Sequence, residues 1–399
     1  MVHIKSNALN KDIQIDRLIA NIKGSKKGPI LVFFAGIHGN ETAGVFALTN
    51  TLKTMSPADL SGSIYAIAGN LKALSKNQRY LEKDLNRLWT QADLDALVSK
   101  EELISEEKEQ FEIYNLLKTI QKAHSEPIYF IDFHTTSSKT LPFITINDAL
   151  INRKFSQQFP VPVVLGIEEY LKGPLLSYIN QLGYVSLGFE SGQHDELDAV
   201  LNCEAFIYLS LVFTKALDKD SVKDFQIHYN RLKHQSKNIS EIFEITYLYK
   251  IKPQEHFKML EGFKSFQAIS KGTHLAQSNA QAIFSGYNAR IFMPLYQTQG
   301  AEGFFIIKSI HPIFLKISEF IRNYKLDNLL VFLPGISWEN KKQGVLSVNL
   351  KVTRFLAKQI FHIFGFRSQQ LSKTHMLLYN RERVAKKALY KNEMWFKRK

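Results

Sequence analysis

The chain of 399 residues has one cysteine, Cys203, so an internal disulfide is excluded and a reducing compartment is expected. No run of about 18 uncharged apolar residues occurs, so no membrane-spanning helix is expected. The opening MVHIKSNALNKDIQIDRLI lacks the continuous apolar stretch of a signal peptide. A cytoplasmic location is therefore the default. Common enzyme signatures are missing as well. There is no His-Glu-x-x-His, no His-x-His, no Gly-x-Ser-x-Gly, no phosphate loop and no Gly-x-Gly-x-x-Gly. Acidic residues are scarce at one end. Residues 311–399 carry 18 Lys/Arg against 5 Asp/Glu, a net +13, so only +1 of the total +14 lies in residues 1–310. Electrostatic arguments about partners concern that basic region alone.

What is present is a soluble-protein composition, 45% hydrophobic and 22% charged, in a chain long enough for two or three domains. Up to residue 218, apolar runs alternate with helical patterns. Strands are expected at 29–36, 63–69, 127–133, 142–146 and 184–190. Helices are expected at 41–55, 101–124, 175–182 and 196–217. This alternation predicts an α/β fold with a mixed, largely parallel central sheet flanked by helices. Residues 219–239 read as a polar connection. Strands expected at 241–252, 288–296 and 303–308 lie among Gly, Gln and Ser and form a small β region. Beyond 310 helices are expected again, over 346–366 and 380–399.

The strand ends carry the chemistry. The first strand runs into His38 and Glu41, the third ends at His134, and the fifth ends at Glu190. In open α/β sheets, ligand and catalytic groups gather beyond the carboxyl ends of strands. Two imidazoles and one carboxylate form a catalytic zinc set that leaves a position for water, and a further carboxylate then serves as base. Taken singly, each residue also has a structural explanation. Glu41 at a helix start suits the macrodipole, and His134 suits a buried histidine bonded to a carbonyl. The post-strand segment 69-GNLKALSKNQRYLEKDLNRLW-89 adds Arg79, Asp84, Asn86 and Arg87. Guanidinium groups there suit carboxylate and oxyanion recognition.

The motifs AGIHGNE, GN…A…RY…DLNR, DFH and FESGQH, in that order, resemble the succinylglutamate desuccinylase/aspartoacylase branch of the zinc carboxypeptidase superfamily. The later segments 271-KGTHLA-276 and 293-MPLYQTQGAEGFF-305 resemble the C-terminal β domain of that branch. The resemblance covers about residues 30–308. It implies one Zn²⁺ per chain, held by His38, Glu41 and His134. It implies that Arg79 polarises the scissile carbonyl and stabilises the oxyanion. Asn86 and Arg87 would grip the free carboxylate of a small N-acyl amino acid, and Glu190 would act as general base and then acid. Asp132, sharing a strand face with His134, is a candidate to orient that ligand, and Asp84 a candidate to orient an arginine.

The implied reaction is zinc-dependent removal of an acetyl- or succinyl-like group from an N-acyl amino acid. Three regions follow: a catalytic α/β domain over 1–218, a small β domain over 219–310 narrowing the active-site entrance, and a basic, mainly helical extension over 311–399. One departure concerns specificity. The branch places an arginine shortly before the catalytic glutamate for an acyl-aspartate side chain, yet residues 173–189 contain no Lys or Arg. Tyr178 and Asn180 are the candidates to replace it. The alternatives are a metallocarboxypeptidase acting on small peptides, or a binding protein that uses 311–399 on nucleic acid or an anionic membrane. A homo-oligomer remains open.

Overall fold

The computed structural model describes residues 1–222, 224–353, 358–370 and 374–397. Its centre is a sheet of eleven strands. Their spatial order is Ala268–Ile269, Ala289–Phe292, Glu302–Ser309, Ile242–Lys250, Val163–Leu165, Phe143–Ile146, Val185–Gln193, Ile128–Thr136, Lys26–Ala35, Ser61–Ala68 and Leu18–Lys23. The run from Val185–Gln193 through Ser61–Ala68 is parallel. The pairings of Ile242–Lys250 with Glu302–Ser309, and of that strand with Ala289–Phe292, are antiparallel.

Burial explains why the parallel strands read as continuous apolar runs. In Lys26–Ala35, Leu31, Phe33 and Ala35 join one core while Ile30, Val32 and Phe34 join another on the opposite face. Period-two side-chain alternation thus feeds both layers. Helices Ala43–Lys53 and Leu197–Phe213 cover the first face. Leu197–Phe213 is apolar nearly all round because it lies between the sheet and the helix Phe225–Gln235. Ser105–Ala123 covers the second face with Ile113, Leu117 and Ile120.

Three expected stretches differ from the sequence reading. Residues 225–235, expected as connection, form a helix that buries Leu232. The helix expected over 346–366 is confined to Lys358–Ile363 among the described residues. Val345–Asn349 is instead a strand in a four-stranded antiparallel sheet with Ile336–Asn340, His375–Asn380 and Phe366–Gln370. Its sequence alternates Leu346, Val348, Leu350 and Val352 with polar residues. That is period two, which also places apolar residues four apart and so imitates a helical stripe. The expected helix over 380–399 is three short helices, Arg381–Val384, Lys387–Tyr390 and Met394–Lys397. The extension is therefore a sheet with helices around its own small core of Leu330, Ile336, Leu346, Val348, Phe361, Phe366 and Leu378.

Candidate active site

Gly36, at φ +71°, turns the chain out of the strand Lys26–Ala35. The backbone of Glu41 bonds back to the His38 carbonyl at 3.1 Å, so both side chains face the same side. Gly39 makes this turn possible. A Cβ there would lie 2.1 Å from the Ala73 carbonyl carbon and 2.4 Å from the Gln78 oxygen. His134 arrives on the neighbouring strand Ile128–Thr136. Its register partner on the next strand is Glu190.

The Glu41 carboxylate lies between the two imidazoles. One oxygen is 2.7 Å from His38 Nδ1 and the other 2.9 Å from His134 Nδ1. The Thr135 amide also donates to it, at 3.0 Å. The far ring nitrogens face carboxylates: His38 Nε2 is 3.0 Å from Asp84, and His134 Nε2 is 2.8 Å from Asp132. Ligand atoms of His38, Glu41 and His134 all lie within 4.8 Å of one another, and all three residues are buried. This donor set fits a divalent cation of the zinc type. It supplies two neutral-capable imidazoles and a carboxylate, with a carboxylate behind each ring to fix its tautomer and orientation.

Electrostatics follow from that packing. Burial by itself would raise the pKa of Glu41, yet His38 and His134 hold it well below the usual carboxylate range. Burial would lower His134, but Asp132 and Glu41 push it well above the ordinary value. Asp84, also opposed by burial, is held low by His38 and Arg79. Glu190 goes the other way. Burial raises it to about 7, and its Oε2 has no hydrogen-bond partner among the described residues.

Arg79 donates to Asp84 at 3.2 Å and reaches Glu41 at 3.5 Å. The loop that carries it is held by Glu106, whose carboxylate accepts from the amides of Leu81, Glu82 and Lys83 at 2.7, 3.2 and 3.3 Å, and from Asn70 at 3.1 Å. Asn86 and Arg87 lie in the same cleft as His38, Glu41, His134, Arg79 and Glu190. Asn86 accepts from the Leu175 amide at 2.9 Å. Arg87 is paired at 3.1 Å with Glu302, on the strand Glu302–Ser309.

The seven residues expected to hold the metal, catalyse or grip the substrate carboxylate thus share one cleft, whose lining also includes Leu295, Gln297 and Glu302. Tyr178 and Asn180 are not among its lining residues; Tyr178 packs on Trp89 and Tyr114 instead. His194 bonds Thr135 at 2.7 Å and Gln297 at 3.2 Å, outside the His38–Glu41–His134 cluster. Sequence reasoning missed three participants: Asp84 as a partner of His38, Glu106 as the anchor of the arginine loop, and Glu302 as the partner of Arg87. The first has a local signal, a carboxylate in DLNR. The other two contacts cross 23–36 and 215 residues, and no local pattern marks them.

A mixed α/β sheet with this cluster at its strand ends is the architecture of the zinc carboxypeptidase-like class. Residues 27–202 match the family model for the succinylglutamate desuccinylase/aspartoacylase catalytic domain. The matched stretch, less than half of the chain, is similar to that catalytic domain. The succinylglutamate desuccinylase of Photorhabdus laumondii is 40% identical over 75 residues, 18% of this chain and 22% of that protein. A probable aspartoacylase of Acaryochloris marina is 30% identical over 162 residues, 39% of this chain and 52% of that protein. The chain thus spans from about a fifth to about half the length of these two relatives. Among solved structures, a succinylglutamate desuccinylase/aspartoacylase from Rhodobacter sphaeroides superposes with a TM-score of 0.57 at 13% identity, over 77% of this chain and 94% of that one. This last likeness is one of fold.

Proposed function

We propose that this protein is a zinc-dependent amidohydrolase that removes an acyl group from a small N-acyl amino acid. One observation carries the reading. His38, Glu41 and His134 converge within 4.8 Å, buried, beside a carboxylate, Glu190, that has an unpartnered oxygen. His38, Glu41 and His134 would hold the zinc. When bound, zinc supplies Lewis acidity at the scissile carbonyl and lowers the pKa of water to about 7.

The remaining steps belong to this chain's own groups. Glu190 takes a proton from the attacking water and delivers it to the departing amine, which leaves only when protonated. Its raised pKa suits a group that must hold a proton between those two transfers. Arg79 donates to the oxyanion as the carbonyl becomes tetrahedral, where one such donor is typically worth about 3–4 kcal/mol. Asn86 and Arg87 orient the free carboxylate of the amino-acid part. Because Arg87 already holds Glu302, the substrate carboxylate competes with that side chain.

The test is a panel of N-acyl amino acids and short peptides offered to the zinc-loaded full chain. Release of acetate, succinate or a related acid is the expected result. Release of a free C-terminal residue from peptides would replace deacylation with carboxypeptidase action. No zinc in the purified protein, with none taken up on addition, would remove the reading altogether.

A further inference from the structure

The helix Pro312–Asn323 turns a broad apolar face to solvent. Helical spacing puts Ile313, Phe314, Ile317 and Phe320 on one side, with Tyr324 just beyond the last turn, and these five residues are 43–68% exposed. The side turned to the body packs Leu315 against the main core and otherwise makes polar contacts. Ser318 donates to the Ile363 carbonyl at 2.9 Å, Arg322 donates to the Asp148 carboxylate at 2.7 Å, and Glu319 pairs with Lys154 at 2.9 Å. Past the helix, Leu329 and Phe332 are also exposed, at 56% and 81%. A folded protein seldom leaves so many large apolar side chains together on its surface unless something covers them.

Charge decides between occupants. The face belongs to the region 311–399, net +13, and the one acidic residue of the helix is turned toward the body by its bond to Lys154. Lys316 borders the apolar stripe and Lys325 follows the helix, both exposed. A second copy docked here would bring two such basic regions together, and their repulsion opposes it. An anionic surface is complementary, and an exposed aromatic and aliphatic face bordered by lysines is the composition of interfacial helices. We propose that the outward face of Pro312–Asn323 docks the protein on an anionic lipid bilayer. Contact would lie along one helix face, and no spanning is implied, since no helix among the described residues is long and apolar enough to cross.

The full chain, incubated with vesicles of equal parts phosphatidylglycerol and phosphatidylcholine, is expected to co-sediment at low salt. It should bind vesicles of phosphatidylcholine alone about tenfold less, and lose most of the anionic-vesicle binding as salt rises. Phe314→Ser combined with Phe320→Ser should reduce binding about tenfold with thermal unfolding and zinc content unchanged. Lys316→Glu with Lys325→Glu should weaken binding without touching the apolar face. Three results would each overturn the proposal: no binding to either vesicle type, binding that both double variants leave unchanged, or a wild-type dimer that the phenylalanine variants convert to monomer.

Discussion

Glu190 is the residue on which the proposed chemistry turns, and its environment makes a specific prediction. Nothing donates to its Oε2, so the amide of Glu190→Gln fits the same space without breaking a bond. The variant should bind zinc as the parent does and lose about 100- to 10,000-fold in turnover. Metal analysis and kcat on the same preparation separate the two effects; full activity in the variant would take Glu190 out of the mechanism. Asp132 and Asp84 act through the imidazoles they face. Asp132→Asn should lower zinc affinity about 10- to 100-fold in a chelator competition. Glu302→Gln frees Arg87 from its ion pair, so KM for an N-acyl amino acid should fall while kcat changes little. At this scale the convergence of His38, Glu41 and His134 was legible because each sits at or just past a strand end. The pairing of Arg87 was not, since Glu302 lies 215 residues away.

At the scale of elements, the site is held by how neighbours meet. The loop with Arg79 and Asp84 has no regular structure until Leu85–Arg87, and Glu106, at the start of the helix Ser105–Ala123, gathers its amides. Glu106→Ala leaves these donors without their acceptor. It should cost roughly 3 kcal/mol in urea unfolding and lower kcat by displacing Arg79. A variant as stable and active as the parent would show that the loop holds itself. The strands and helices expected in the first 218 residues lie near where the periodicity put them, because apolar strands buried on both faces leave a strong local signal. The strands Val2–Ser6, Lys11–Ile15, Leu18–Lys23 and Val163–Leu165 were not expected. Expectations failed where the signal was ambiguous. Residues 346–352 satisfy both a period of two and a spacing of four, and the helix Phe225–Gln235 buries a single residue, Leu232, so it shows little stripe.

Across the whole molecule, the basic extension is tied to the body by its cations. Asp148 accepts from Arg153 and from Arg322, whose side chain is 1% exposed, while Arg381 pairs with Glu168 at 2.6 Å. Tyr390 donates to the Ile128 carbonyl at 2.5 Å, and Trp395 packs on Tyr129 and Phe155 in the main core. Part of the +13 is therefore neutralised within the fold. Burial would raise the pKa of Asp148, but Arg153, Arg322 and Arg381 hold it far below the unfolded value. A depressed carboxylate contributes fully above the unfolded pKa of about 3.9 and loses that contribution as pH falls below it. Asp148→Asn should therefore destabilise the protein at neutral pH by about 3–5 kcal/mol. Its stability should also fall less steeply than the parent's below about pH 4. Parallel acid-unfolding curves for the two proteins would refute this account.

The sequence by itself determined the layered α/β body, the strand ends that carry His38, Glu41, His134 and Glu190, and the uneven charge. Those features are written in short-range periodicity and in local composition, which act before any long-range contact forms. Only the tertiary structure decided that Asp84 and Asp132 back the imidazoles and that Glu302 occupies Arg87. It also decided that Arg322 turns inward while the apolar face of its helix turns out. Each of these is a choice of partner between side chains brought together by packing. Such choices depend on which charges become desolvated together, a property of the folded arrangement and of no single stretch of chain.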